Sequence, residues 1–229
     1  VASGNCNAHT GAGDPYLPFR EILSLLTGDI EVKWNQGMLT QESASRLWAL
    51  LPTSVQALVD FGPDLINTFV PGATLTTRAS DLVSSLDQLE QTNQHQSGGN
   101  GAGNVAQSDL FEQYTNVLQA LARQQPLLLV VDDAQWADAA SINLLFHLGR
   151  RLGSHRILMF ITYRSDDVAL GRDGERHPLE SVVNELRRIY GNAEVNLDRS
   201  MNRRFVEAFL DTETNQLGQG FRTALYHQT

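Results

Sequence analysis

Apolar positions in the first ninety residues recur at helical spacing, and the rhythm changes after residue 108. In "FREILSLL", Phe19, Ile22, Leu23 and Leu26 share one face and predict a helix, with Pro18 well placed at its first turn. Thr40 suits the cap of a helix through "TQESASRLWALL", and "PTSVQALVDF" predicts another turn or two before Gly62-Pro63 interrupts it. A third helix fits "TTRASDLVSSLDQLEQ", where Leu82, Val83, Leu86 and Leu89 keep the same period. Residues 92–107, "TNQHQSGGNGAGNVAQ", hold too little apolar surface to pack and read as a mobile loop. His95 within them lacks neighbouring metal ligands, and their glycines lack the strand-before, helix-after setting of a phosphate loop.

From Ser108 onward, helices alternate with short apolar strands. "DLFEQYTNVLQALA", "DAASINLLFHLGRRL" and "HPLESVVNELRRIY" predict helices, and "LLLVV" and "RILMFITY" predict buried strands. "AEVNL" predicts one more strand, and two last helices fit "SMNRRFVEAFL" and "TETNQLGQGFRTALYH". Residues Val1–Ala8 predict a short strand that leads into "HTGAGDPYLP", a loop kept irregular by Pro15 and Pro18. This alternation, with strands apolar on both faces, predicts an α/β fold whose parallel sheet is covered on each side.

Composition narrows the function classes. The 229 residues are 41% apolar, enough for one large core or two small ones. They contain neither a run of eighteen apolar residues nor a basic-then-apolar leader, so a membrane partner is not expected. A formal charge of −9 argues against direct nucleic-acid binding by this segment. The single cysteine, Cys6, precludes an internal disulfide and points to a reducing compartment, so the expected location is cytoplasmic. There are sixteen arginines and one lysine, Lys33.

Candidate chemistry lies at the strand ends, where open parallel sheets bind ligands. Asp132 and Asp133 follow the apolar strand directly, and Arg164 follows "FITY" at the same edge. Two carboxylates there suit a hydrated magnesium ion and an oriented water, and an arginine one strand over suits a phosphate. The residues alone equally allow Asp132 or Asp133 to cap the following turn, and Arg164 to pair with Asp166 or Asp167. His147 has no companion ligand and reads as a packing or surface histidine. Arg187 and Arg188 read as a solvated helix face, with a trans-acting finger as the alternative, and Arg172 and Arg176 lie in a charged loop.

The stretch "PLLLVVDDAQWADAASINLLFHLGRRL" resembles the Walker B region of signal-transducing (STAND) P-loop ATPases, an AAA-related group. Within that group it is similar to maltose-type LuxR activators and to ATPase modules attached to adenylate cyclases. "RILMFITYRSDD" resembles the next strand with its sensor arginine, and "GAGDPYLPFREIL" resembles the segment just past the phosphate-loop helix. The resemblance implies that Asp132 ligates magnesium through water, that Asp133 positions the attacking water and that Arg164 senses the terminal phosphate. Trp136 and Asp138 would fix the turn after the strand, a role close to the alternative of packing and helix capping. Tyr16 and Phe19 would pack near the nucleotide, with ordinary core packing as the alternative. The implied cofactors are ATP and Mg2+.

No Gly-Lys-Ser/Thr loop occurs in the 229 residues, and Lys33 in "EVKWNQG" has neither the glycine before it nor the hydroxyl after it. The resemblance therefore implies an interior piece of a larger regulator: an incomplete P-loop sandwich over 1–197, with a helical insertion at about 36–91. The start of a helical lid would span 198–229. The expected partners are the phosphate-loop segment upstream, lid and effector domains downstream, and a second copy of the chain. On this reading the sheet lacks a central strand, so the piece oligomerises or packs its last strand irregularly. Little ATP binding is expected of the isolated chain. The alternatives are a non-catalytic scaffold with the ATPase fold and another P-loop enzyme.

Overall fold

The computed structural model describes residues 1–7, 14–72, 75, 106–170, 176–191, 193–196, 203–212 and 217–228. The predicted helix over residues 76–91, nearly all of the glycine-rich stretch and Arg172 lie outside them. The chain divides into two compact units, Val1–Ile189 and Tyr190–Thr229.

In the first unit, strand β1 (Ala2–Asn5) is followed by helix α1 (Leu17–Leu26), whose Phe19, Ile22, Leu23, Leu25 and Leu26 are all buried. Burial of each such side chain contributes about 1.5–3 kcal/mol. The start of α1 sits directly on β1, so that a methyl group added to Gly4 would lie 1.9 Å from the Pro18 carbonyl oxygen. Gly28, at φ 113°, turns the chain into a short helix α2 (Ile30–Asn35) that the periodicity did not predict, anchored by the buried Ile30.

Helix α3 (Gln41–Phe61) is continuous through Pro52 and ends at Gly62, where the sequence predicted the interruption. Proline inside a helix costs roughly 3 kcal/mol. The buried stripe Ala44, Leu47, Leu50, Val55 and Leu58 runs across both halves and offsets that cost. Thr40 caps the helix as expected, accepting a hydrogen bond from the Ser43 amide at 3.2 Å. Helix α4 (Gln107–Gln124) packs on α3, and its buried Tyr114 donates to the Phe19 carbonyl at 2.9 Å.

Strand β2 (Leu127–Asp132) leads through a 3-10 turn (Ala134–Trp136) into helix α5 (Ala139–Arg151), and strand β3 (Ile157–Ile161) follows. The three strands form a parallel sheet in the order β1-β2-β3, with Asn5 opposite Asp132 and Val131 opposite Ile161. After β3 come the short helix α6 (Ser165–Leu170) and helix α7 (Pro178–Tyr190), which ends before Gly191 at φ 75°.

The register gives the sheet two unlike faces. Ala2, Gly4, Leu127, Leu129 and Val131 are buried on one. On the other, Leu128 and Val130 are partly exposed, and their neighbours Leu158 and Phe160 are 57% and 53% exposed. The expectation of cover on each side is thus met on one face among the described residues. The predicted strand "AEVNL" is not formed over 193–196, where Val195 is exposed and has no sheet partner.

The second unit contains helices α8 (Arg203–Leu210) and α9 (Gln219–Gln228), joined by an Arg222–Asp211 ion pair of 2.7 Å. No helix among the described residues is long and apolar enough to cross a membrane.

Candidate functional site

The ends of all three strands are tied together by main-chain hydrogen bonds. The Cys6 amide donates to the Asp132 carbonyl (3.0 Å), the Thr162 amide to the Val131 carbonyl (3.0 Å) and the Ala134 amide to the Thr162 carbonyl (2.8 Å). Asp132 and Asp133 therefore emerge where sheet register, not loop conformation, sets their position. The Thr162 hydroxyl donates to the Asp132 carboxylate and accepts from the Asp133 amide at 3.0 Å. Asp133 is left-handed (φ 54°), a conformation that aspartate tolerates better than most residues, and this turns the chain away from the sheet.

Gln135 organises the next layer. Its Nε2 donates to the Asp133 carboxylate at 2.9 Å, and its Oε1 accepts from the Arg164 amide at 3.1 Å. Arg164 is exposed, and its guanidinium forms no ion pair with Asp166 or Asp167 among the described residues. Asp132, Asp133 and Arg164, all predicted, thus belong to one bonded edge. Asp138 caps α5 as predicted, accepting from the Ser141 amide (2.9 Å) and hydroxyl, and also from the Tyr16 amide at 3.3 Å.

Tyr16 meets this edge only through that amide. Its ring packs against Phe69 and Phe111 at centroid distances of 5.1 and 6.0 Å, and its hydroxyl accepts from Gln107 at 2.9 Å. Phe19 is buried against Tyr114, which is the core-packing alternative. Lys33 pairs with Glu21 at 3.6 Å. Arg188 pairs with Glu185 on the exposed side of α7, Arg187 bonds Asn184 at 3.3 Å on the same helix, and Arg176 is exposed.

Beside the carboxylates, a shallow cleft is lined by Cys6, Asp14, Pro18, Trp136 and Asp138. The Cys6 thiol is pushed up to about 12, first by burial and then by the charges of Asp138, Asp133, Asp132 and Glu21. The strand ends are therefore electronegative, as a divalent cation would require. No group of three or more His, Cys, Asp or Glu residues able to enclose an ion exists among the described residues. A half-buried Asp132 beside a hydroxyl fits a magnesium ion that keeps several waters and takes its other ligands from phosphate oxygens.

Sequence reasoning missed Thr162 and Gln135. The signals were present: Thr162 directly follows an apolar strand two residues before Arg164, and Gln135 lies inside the Asp-Asp-x-x-Trp-x-Asp signature.

Comparison with curated proteins and with solved structures yields no match. A family model described as "AAA ATPase domain" matches residues 1–161, which span β1 to β3 and include Asp132, Asp133 and Gln135 but not Thr162 or Arg164. The chain belongs to the family of AAA ATPase domains.

Proposed function

We propose that this chain forms the strand-end half of an ATP-binding and ATP-hydrolysing regulatory switch, whose nucleotide state alters packing against an attached effector domain. The observation that carries this reading is the bonded edge of Asp132, Thr162, Asp133 and Gln135 beside an Arg164 guanidinium without an ion pair among the described residues, in a family of ATPases. When bound, Mg2+ and ATP supply charge neutralisation and the phosphoryl group to be transferred. Asp132 would hold the hydrated ion. Asp133, aimed by Gln135, would orient the attacking water and accept its proton, and Arg164 would meet the terminal phosphate. The Asp-Asp-x-x-Trp-x-Asp signature supports the finer likeness to Walker B strands of LuxR-type regulators and cyclase-linked modules. Transcriptional control and a cytoplasmic setting belong to the same proposal.

The phosphate loop, on this reading, is supplied from outside these 229 residues. β3 pairs with β2 on one side and with no other strand among the described residues, and its Leu158 and Phe160 are exposed. We read that edge as the seat of the phosphate-loop strand, and residues 198–229 as the start of a helical lid.

Calorimetric titration with magnesium-ATP tests the division. Little or no heat is expected from the 229-residue chain. A chain extended to carry a Gly-Lys-Ser/Thr loop should bind, and Asp133→Asn should then lower turnover by roughly 10²–10⁴-fold while leaving binding intact. An extended chain that neither binds nor turns over would favour the scaffold reading. Saturable binding by the 229 residues alone, lost in Asp132→Asn, would overturn the outside phosphate loop.

A further inference from the structure

We propose that Gln135 and His177 are positioning residues that tie the seating of helix α7 to the placement of Asp133 and Arg164. The inference rests on the roles given above to those two residues, but its geometry stands by itself. Gln135 is 1% exposed and His177 6%, unusual burial for two polar side chains well away from any apolar requirement. Both are fully engaged. Gln135 bridges the Asp133 carboxylate and the Arg164 amide. Its main-chain carbonyl oxygen lies 3.0 Å from His177 Nε2, and His177 Nδ1 lies 3.1 Å from the Leu179 main-chain nitrogen.

An amide can only donate, so Nδ1 is the acceptor. Nε2 then carries the proton and donates to the Gln135 carbonyl. Leu179 bears the first main-chain N–H of α7, because Pro178 has none, and His177 supplies the cap that this orphan donor needs. The helix is held in turn by buried Leu179 and Val182, and by Leu186 against Gly149, where an added methyl would come within 2.6 Å of Leu186 Cδ2. Hydrogen bonds thus link the seated helix through the His177 imidazole to the main chain of Gln135, whose side-chain carboxamide in turn bonds the two site residues. Withdrawing α7 removes the donor from the buried Gln135 main-chain carbonyl and so loosens the backbone that carries the carboxamide bonded to Asp133 and Arg164. The helix is therefore the element through which an attached domain would act on this edge.

Two isosteric substitutions separate positioning from helix capping. His177→Asn keeps an acceptor where Nδ1 stands, and His177→Gln keeps a donor where Nε2 stands. Amide hydrogen exchange, read by NMR on the 229-residue chain, follows Arg164 and Leu179 in both variants and in Gln135→Leu. In His177→Asn, Leu179 should stay protected while Arg164 exchanges roughly five- to tenfold faster. In His177→Gln the order should reverse, and in Gln135→Leu only Arg164 should accelerate. An Arg164 amide unmoved in both His177→Asn and Gln135→Leu would overturn the proposal. So would one that accelerates only in step with Leu179 and the rest of the chain, which is the mark of a purely structural role. Line broadening by Mn2+ at the Asp132 and Asp133 amides of the unsubstituted chain tests the metal reading separately. Its absence would remove that reading and leave the exchange result intact.

Discussion

Cys6 reports the character of the site more directly than any of the carboxylates. Its thiol is buried at the end of β1 and faces the charges of Asp138, Asp133, Asp132 and Glu21, so its titration is pushed up to about 12. Only the thiolate attacks an alkylating agent, and almost none exists at pH 8 under that shift. Iodoacetamide should therefore modify Cys6 more than about a hundredfold slower than a free thiol. Mass spectrometry gives an unambiguous reading because the chain has one cysteine. Alkylation at the free-thiol rate would mean that the strand end is open to solvent. Asp132, Asp133 and Arg164 were legible in the sequence because they are charged residues at the carboxyl ends of apolar strands, where ligands bind open parallel sheets. Thr162 and Gln135 stand in equally marked places, but their roles were not legible, because they come from the β2–β3 register and a left-handed turn that sequence position does not reveal.

Among the elements, α1 and β1 are joined most intimately. Gly4 has no room for a side chain, since the Pro18 carbonyl occupies the space and belongs to backbone that cannot rotate away. Gly4→Ala should lower stability by at least about 2 kcal/mol, measured by urea unfolding, because the first turn of α1 must lift from the strand. An unchanged midpoint would show that α1 is not seated there. Periodicity placed α1, α4, α5 and α7 correctly, since each has a clear buried stripe. It also placed the end of α3 at Gly62, and Pro52 leaves that helix continuous because packing along its whole length outweighs the local cost. It failed at "AEVNL", whose alternating pattern suits a strand but which forms none over 193–196.

At the scale of the whole molecule, pH enters through His147, where α5 packs on α4. Its ring packs at a tilt against Phe111, with centroids 5.5 Å apart, and its Nε2 is buried without a hydrogen-bond partner among the described residues. Burial, then Arg151, lower its titration below the ordinary 6.5, against an opposing pull from Glu112 at 3.8 Å. Unfolding restores the ordinary value, so below pH 6.5 the unfolded chain binds the extra proton and stability falls with pH. The contribution is complete above 6.5 and declines as pH drops towards the lowered value. Thermal midpoints measured from pH 7.5 to 5 should fall less steeply in His147→Phe than in the unsubstituted chain. Parallel curves would place the pH sensitivity elsewhere. The parallel sheet and α/β class were legible at this scale from the strand-helix alternation. The difference between the two sheet faces was not, because Leu158 and Phe160 are as apolar as the residues that are covered.

The pairing of Lys33 with Glu21 carries a consequence for covalent modification. Glu21 Oε2 is shared between the Lys33 ammonium at 3.6 Å and the Asn5 amide at 3.1 Å, and Asn5 stands opposite Asp132 in the sheet. Every other side-chain cation here is a guanidinium or an imidazole. An acetyltransferase or any acylating reagent that reads lysine side chains therefore finds a single address in these 229 residues. Neutralising it frees a carboxylate that also holds the end of β1, so the one lysine acylation lands two contacts from the strand ends.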